Sequence, residues 1–170
     1  MTYVLAINKD MAANHNIEIP YDQVRDGAWC FDDMVAMTSD LNQDLDGDGA
    51  MTEADQYGFL TQYNGLMCLQ SSLGGSMFVH NSEGIIELVT DNNRLLGIVD
   101  MYAKLMENGT DSLGASNEGG SEVFVKGNSL FCYLEPRTIT TILRGSDVTY
   151  GILPFPKYDE NQQEYASAGF

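Results

Sequence analysis

The sequence predicts an α/β domain, a mixed sheet flanked by helices, on three observations. Short apolar runs of strand length recur along the chain: Tyr3 to Ile7, Leu130 to Tyr133 and Tyr150 to Leu153. Segments of helical periodicity lie between them, the clearest from Asn92 to Glu107, where Leu95, Ile98, Val99, Tyr102, Leu105 and Met106 form one apolar stripe. The 170 residues contain no internal repeat and suffice for one domain with a real core. Strands alternating with helices in such a chain imply a sheet covered by helices.

In chain order, Tyr3 to Ile7 is a buried strand bounded by Asn8-Lys9-Asp10, and Met11 to His15 is a short helix. Ile17 to Pro20 is a loop, and Asp22 to Gly27 a short polar turn or helix. Phe31 to Leu41 is a helix with Asp32 and Asp33 in its first turn, where the helix dipole favours acids. Leu60 to Leu73 reads as a helix stopped by Gly74-Gly75. Met77 to His80 and Ile85 to Leu88 form a hairpin around Asn81-Ser82-Glu83-Gly84. Thr90 or Asp91 caps the helix of Asn92 to Glu107, and Asn108-Gly109 ends it. Ser112 to Ser121 is a Gly/Ser/Asn-rich loop. Val123 to Val125 and Leu130 to Tyr133 are short strands. Pro136 to Leu143 is a helix with Pro in its first turn, followed by the strand Tyr150 to Leu153 and the rigid Pro154-Phe155-Pro156.

Net charge is −17, from 25 acids against 8 bases. A field of that sign repels phosphate backbones and anionic membranes, which argues against nucleic-acid binding. Cys30, Cys68 and Cys132 are far apart, with no CxxC or Cys/His ligand spacing; they read as three free thiols or at most one bridge, and most simply as small buried apolar groups. No long apolar run suggests a membrane span, and Met1 to Ala6 is too short for a signal peptide, so the chain is expected to be a segment of something longer.

The sharpest motif is Asp44-Leu45-Asp46-Gly47-Asp48-Gly49-Ala50-Met51-Thr52-Glu53-Ala54-Asp55. Acids at loop positions 1, 3, 5 and 12, with Gly at 6, match a calcium loop of EF-hand type. Asp44, Asp46 and Asp48 would supply carboxylates and Ala50 its carbonyl. Thr52 would act directly or through water, and Asp55 would close the shell. Asp at position 12 is a methylene shorter than the usual Glu, and no second loop is present, so a structural Ca²⁺ is expected rather than a sensor. Thr52-Glu53-Ala54-Asp55 also has the form of a capping box opening a helix. A metal-free acidic turn is the alternative.

Several segments together resemble the family 1 extracellular solute-binding proteins, the carbohydrate-binding lipoproteins of ABC importers in Firmicutes. They are Ala6-Ile7-Asn8-Lys9-Asp10-Met11, Val24-Arg25-Asp26-Gly27-Ala28-Trp29, the calcium-type loop running into Asp55-Gln56-Tyr57-Gly58, and Tyr150 through Tyr165. Their order along the chain is also the family's. The resemblance implies one lobe, mostly the carboxy-terminal one, of a type II Venus-flytrap receptor of the periplasmic-binding-protein fold. Residues 3–8 and 150–156 would be connections between lobes. It further implies a carbohydrate ligand held between two lobes, membrane permease subunits as partners, a monomeric full-length protein, and an extracellular location on a lipid anchor. Cys30 stands where the family often carries Thr, a better cap for the following helix.

Sugars are held by aromatic faces and by bidentate polar side chains. Trp29, the only Trp, is a candidate stacking platform or else a core residue. Tyr63-Asn64 pairs an aromatic with an amide, and Glu135-Pro136-Arg137 sets an acid and a guanidinium at a strand end. No nucleophile elbow, His-based dyad, phosphate loop or zinc motif is present, so the chain reads as no enzyme. Two alternatives stand beside a receptor lobe: a glycoside hydrolase fragment working with two carboxylates, and a calcium-dependent module of dockerin type.

Overall fold

The computed structural model describes residues 3–62, 65–89, 92–110 and 119–167. The chain begins with β1 (Val4–Asn8), α1 (Lys9–Asn14), α2 (Tyr21–Arg25) and α3 (Phe31–Thr38). After a long loop come β2 (Tyr57–Leu60), α4 (Gly65–Ser72), the hairpin β3 (Phe78–His80) and β4 (Ile86–Leu88), and α5 (Asn93–Met106). The remainder is β5 (Gly109–Thr110), α6 (Gly119–Val125), β6 (Ser129–Leu134), α7 (Pro136–Thr141) and β7 (Tyr150–Leu153).

Five strands form one mixed sheet in the order β5-β2-β6-β1-β7. β2 runs parallel to β5 and β6, and β1 is antiparallel to both β6 and β7. β6 is buried along its whole length, as a central strand covered on both faces must be. Its register sets Phe131 opposite Ile7 on one side and Phe59 on the other. One cluster gathers Leu5, Ile7, Trp29, Phe31, Phe59, Phe131 and Leu153 under α1, α3 and α5. The second, around Ala6, Leu60, Phe124, Cys132 and Leu143, fills the opposite face. Each fully buried large side chain contributes on the order of 1.5–3 kcal/mol.

Helix starts follow local chemistry. Asn8 ends β1 and caps α1 by accepting the Met11 N–H at 3.0 Å. Asp33 reaches back to accept the Cys30 N–H at 3.0 Å, which offsets the poor capping capacity of a thiol. Asn92 caps α5 through the Leu95 N–H, while Thr90 and Asp91, the caps the sequence suggested, lie outside the described residues.

Three expectations are corrected. No helix follows the acidic loop: residues 53–55 make a turn and bend, and Tyr57–Leu60 is a strand inside the sheet. The helix expected from Leu60 is confined to α4. Val123 to Val125 belongs to α6, because Val123 and Phe124 bury against Leu60 and Cys132 from a helix rather than from a strand. Most of the expected loop from Ser112 lies outside the described residues, although Gly119 to Ser121 is already helical.

Candidate functional site

Strand direction decides where polar side chains gather. β2, β5, β6 and β7 all point the same way, so their carboxyl ends share one edge with the amino end of β1. Ligand crevices of open α/β sheets lie beyond such an edge. Here it carries Tyr3 before β1, Thr61 and Gln62 after β2, Glu135 to Arg137 after β6, and Pro154 after β7.

Tyr3 donates its hydroxyl to Glu135 Oε1 at 3.0 Å and stacks on Tyr133 at 4.5 Å between centroids, the planes 14° apart. Phe155 tilts against Tyr133 at 4.8 Å. Burial first, and then the Cys68 thiol beside it, push the Tyr133 phenol well above its ordinary range, so it stays protonated. The Thr61 hydroxyl is buried without a hydrogen-bond partner among the described residues. Glu135 is half-buried at the N-cap of α7, with Pro136 in the first turn and Arg137 exposed beside it. The edge thus carries Glu135 and Arg137, with Tyr3 and Thr61 beside them in strand order. Sequence reasoning missed both of the latter, though each adjoins the end of an apolar run. Tyr63 and Asn64 lie outside the described residues; Thr61 and Gln62 on this edge precede them in the sequence.

Trp29 is not on the edge as an open platform. It is wholly buried, its ring tilted over Phe131 at 6.4 Å and its indole N–H donated to the Pro154 carbonyl at 3.3 Å. With none of its surface exposed, Trp29 fits the core alternative of the two readings the sequence offers.

The acidic loop enters β2 from the strand's amino end, opposite the crevice edge. Asp44, Asp46 and Asp48 converge, with one carboxylate oxygen from each within 4.8 Å of the others. Backbone N–H groups hold them in place: Asp44 accepts from Gly47 at 2.6 Å and Gly49 at 2.8 Å, and Asp48 accepts from Ala50 at 2.8 Å. Gly47 and Gly49 adopt φ of 74° and 84°, the left-handed turns that let the loop double back. Three hard oxygen ligands on a doubled-back loop fit a divalent cation such as Ca²⁺.

Asp55 behaves differently from the other three acids. Its carboxylate is buried and accepts from Leu45 N–H at 2.8 Å, Thr52 N–H at 2.6 Å and Thr52 Oγ1 at 3.1 Å. It closes the loop by hydrogen bonding, and the Thr52–Asp55 pairing read as a helix start instead pins a turn. The carbonyl of Thr52 is taken by the Tyr57 hydroxyl at 2.8 Å. Burial, and then the Asp55 charge, push that phenol up to about 12.

The N–H groups of Thr52 and Leu45 hold the Asp55 carboxyl below its ordinary 3.8. A lowered folded value means that the unfolded chain takes up the proton first as pH falls. The stabilisation is therefore complete above about pH 4 and fades below it, towards the folded value. Asp55→Asn is expected to lower the melting temperature in chelator-containing buffer at neutral pH, and the gap to wild type should narrow below pH 4. Melts recorded down the pH series check this. A gap that stays constant to the lowest pH would mean that the carboxylate's charge contributes nothing.

No protein-family model matches the chain, and no curated protein matches it. Solved structures do. An ABC substrate-binding protein of Listeria monocytogenes, in complex with cycloalternan, superposes with a TM-score of 0.64 at 14% identity, covering 91% of this chain and 37% of that one. A maltose/maltodextrin-binding domain of Bdellovibrio bacteriovorus bound to maltotriose gives a TM-score of 0.64 at 13% identity, over 98% of this chain and 39% of that one. The fold is that of one lobe of the periplasmic-binding-protein-like architecture. An ABC transporter solute-binding protein of Agrobacterium radiobacter in complex with ribitol superposes with a TM-score of 0.61 at 17% identity, over 92% of this chain and 37% of that one. The chain therefore spans roughly two fifths of the length of these proteins. No helix of the lobe's described residues is long and apolar enough to cross a membrane.

Proposed function

We propose that this lobe belongs to the substrate-binding component of an ABC importer, a family 1 lipoprotein of Firmicutes type that captures a mono- or oligosaccharide outside the cell without chemistry. The observation behind this reading is the match of nearly the whole chain to a single lobe of sugar- and polyol-bound solute-binding proteins. The crevice edge suits the role. Glu135 and Arg137 offer the charged hydrogen-bonding groups that polyhydroxyl ligands require, and the Tyr3–Tyr133 stack stiffens the edge that presents them. A single lobe offers one wall of a crevice, and the second lobe would close over the sugar. Residues 3–8 and 150–156, as β1 and β7 with their extensions, run side by side and reach this edge together, which suits chain crossings between lobes. Delivery would be to the importer's membrane permease subunits, and we take the full-length receptor to be monomeric.

The acidic loop fits the same reading as a structural Ca²⁺ site. It lies at the far end of β2 from the crevice, so an ion there would brace the lobe without touching sugar.

Thermal melts of the two-lobed protein against a panel of mono- and oligosaccharides test the proposal. One glycan class at about 100 times its Kd is expected to add about 2.7 kcal/mol of stability. Glu135→Gln should reduce that shift while leaving the unliganded melt nearly unchanged. A panel in which no glycan moves the melt would sink the carbohydrate reading.

A further inference from the structure

A groove separate from the crevice and from the acidic loop runs between residues 15–23 and α3. Its cavity is about 780 Å³, inside the range of roughly 300–1,000 Å³ that ligand sites occupy. The local sequence keeps it open. Asn16 turns the chain out of α1 with φ of 55°, and residues 17–20 then cross without regular structure. Asp33, Ala36 and Met37 share the facing side of α3, and the single methyl of Ala36 leaves the middle empty.

The floor is apolar, made of Ile17, Ile19 and Met37, each only half-covered by the core beneath. The rim is acidic, with Glu18, Asp22 and Asp40 exposed and Asp33 half-buried. Four carboxylates among thirteen lining residues is about twice the density of the chain, 25 among 170. The rim therefore presents a net negative face to a partner. No Lys or Arg lines the groove; Arg25 beside it offsets Asp22, in an exposed pair into which a partner's cation can exchange. An apolar trough between acidic rims complements one kind of partner. It disfavours anions, and it offers no Trp, Tyr or Phe face on which a sugar ring could stack.

We propose that the groove docks a basic amphipathic segment of another protein, a short helix whose aliphatic side chains settle on Ile17, Ile19 and Met37 while its Lys or Arg residues face Glu18, Asp22 and Asp40. The inference does not depend on the carbohydrate reading of the crevice.

The probe is a fluorescein-labelled peptide of lysine and leucine with the leucines on one helical face, its binding to the chain followed by anisotropy. Ala36→Phe fills the groove without changing charge and is expected to weaken binding about tenfold or more. The triple variant Glu18→Gln/Asp22→Asn/Asp40→Asn should do the same, and Asn suits the left-handed backbone at Asp40, where φ is 60°. A control triple, Glu83→Gln/Asp100→Asn/Glu164→Gln, removes the same charge from exposed sites elsewhere and should change affinity less than about twofold, since distant surface charges are screened. Circular dichroism confirms that each variant is folded. Equal losses in the two triples, or an unaffected Ala36→Phe, would show the peptide reading the overall field and would overturn the groove. Tighter binding of the small cation tetraphenylphosphonium than of the peptide would overturn it in favour of a small-molecule site.

Discussion

Trp29→Ala is expected to destabilise the chain by about 3–5 kcal/mol, a large fraction of the roughly 5–15 kcal/mol that holds a domain together. The ring is wholly buried beside Phe131, so its removal leaves a cavity in the main core. It also strands the Pro154 carbonyl, which accepts the indole N–H at 3.3 Å. The backbone around Trp29 adds to the effect. Its N–H is donated to the Tyr165 hydroxyl at 3.1 Å, and its carbonyl accepts from Lys157 N–H at 3.0 Å. A collapse at Trp29 would therefore loosen the segment of residues 154–165 that straps the sheet. Trp29→Phe keeps most of the packing and loses the indole donor, so its cost should fall between wild type and Ala. Urea unfolding of the three proteins gives the ranking. A sugar-stacking Trp would behave in the opposite way, losing ligand affinity at nearly constant stability, and an unchanged urea midpoint for Trp29→Ala would return it to that role.

The same residue shows what a sequence can and cannot reveal. A single Trp between a turn and a helix carries no periodic signal, so neither face nor depth could be read for it. The strong periodicity of α5 and the unbroken apolar run of β6 did place those elements, because each must bury a whole face. β2 escaped because the capping-box form of Thr52 to Asp55 reads as a helix start, and its interior Gly58 gives no strand signal of its own. In the structure it is a requirement: a Cβ there would lie 2.7 Å from Thr38 Cβ and 2.8 Å from the Asn108 carbonyl oxygen. Val123-Phe124-Val125 misled in the other direction, since a three-residue apolar run fits a strand or one side of a short helix equally well. At the crevice edge, Glu135 and Arg137 were visible as charges at a strand end. Tyr3 and Thr61 were not, because only the strand order brings residues so distant in sequence to one edge. The Asp44–Asp48 cluster was legible because it is local, whereas the capture of Asp55 by backbone N–H groups depended on the turn that replaced the expected helix.

Calcium is expected to raise the melting temperature of the chain by about 5–10 °C at an ion concentration near 100 times Kd. Binding to the native state alone contributes about 2.7 kcal/mol at that ratio, and a domain of this size gains about 2–4 °C per kcal/mol. The expectation rests on three carboxylates held within 4.8 Å of one another, whose mutual repulsion a divalent cation would relieve. Hydrogen bonds from Gly47 and Gly49 to Asp44 already hold the loop in its turn, so little ordering cost remains for binding. The position of Asp55 sets the limit on affinity. With its carboxylate occupied by Leu45 and Thr52, the ion would find three carboxylates rather than four, and carbonyls or waters would complete its shell. The site should accordingly be weak, saturating at the levels typical of extracellular modules, about 10⁻⁴–10⁻³ M. Asp46→Asn tests the site cleanly, since the Asp46 carboxylate accepts from the Asp48 N–H at 3.2 Å, a bond that Asn can preserve. The variant should melt near the chelated wild type and show little further shift with calcium. Asp44→Ala should also lose the shift, but from a lower starting point because Gly47 and Gly49 lose their acceptor. A wild-type melt identical in calcium and in chelator would reduce the loop to a metal-free turn pinned by Asp44 and Asp55.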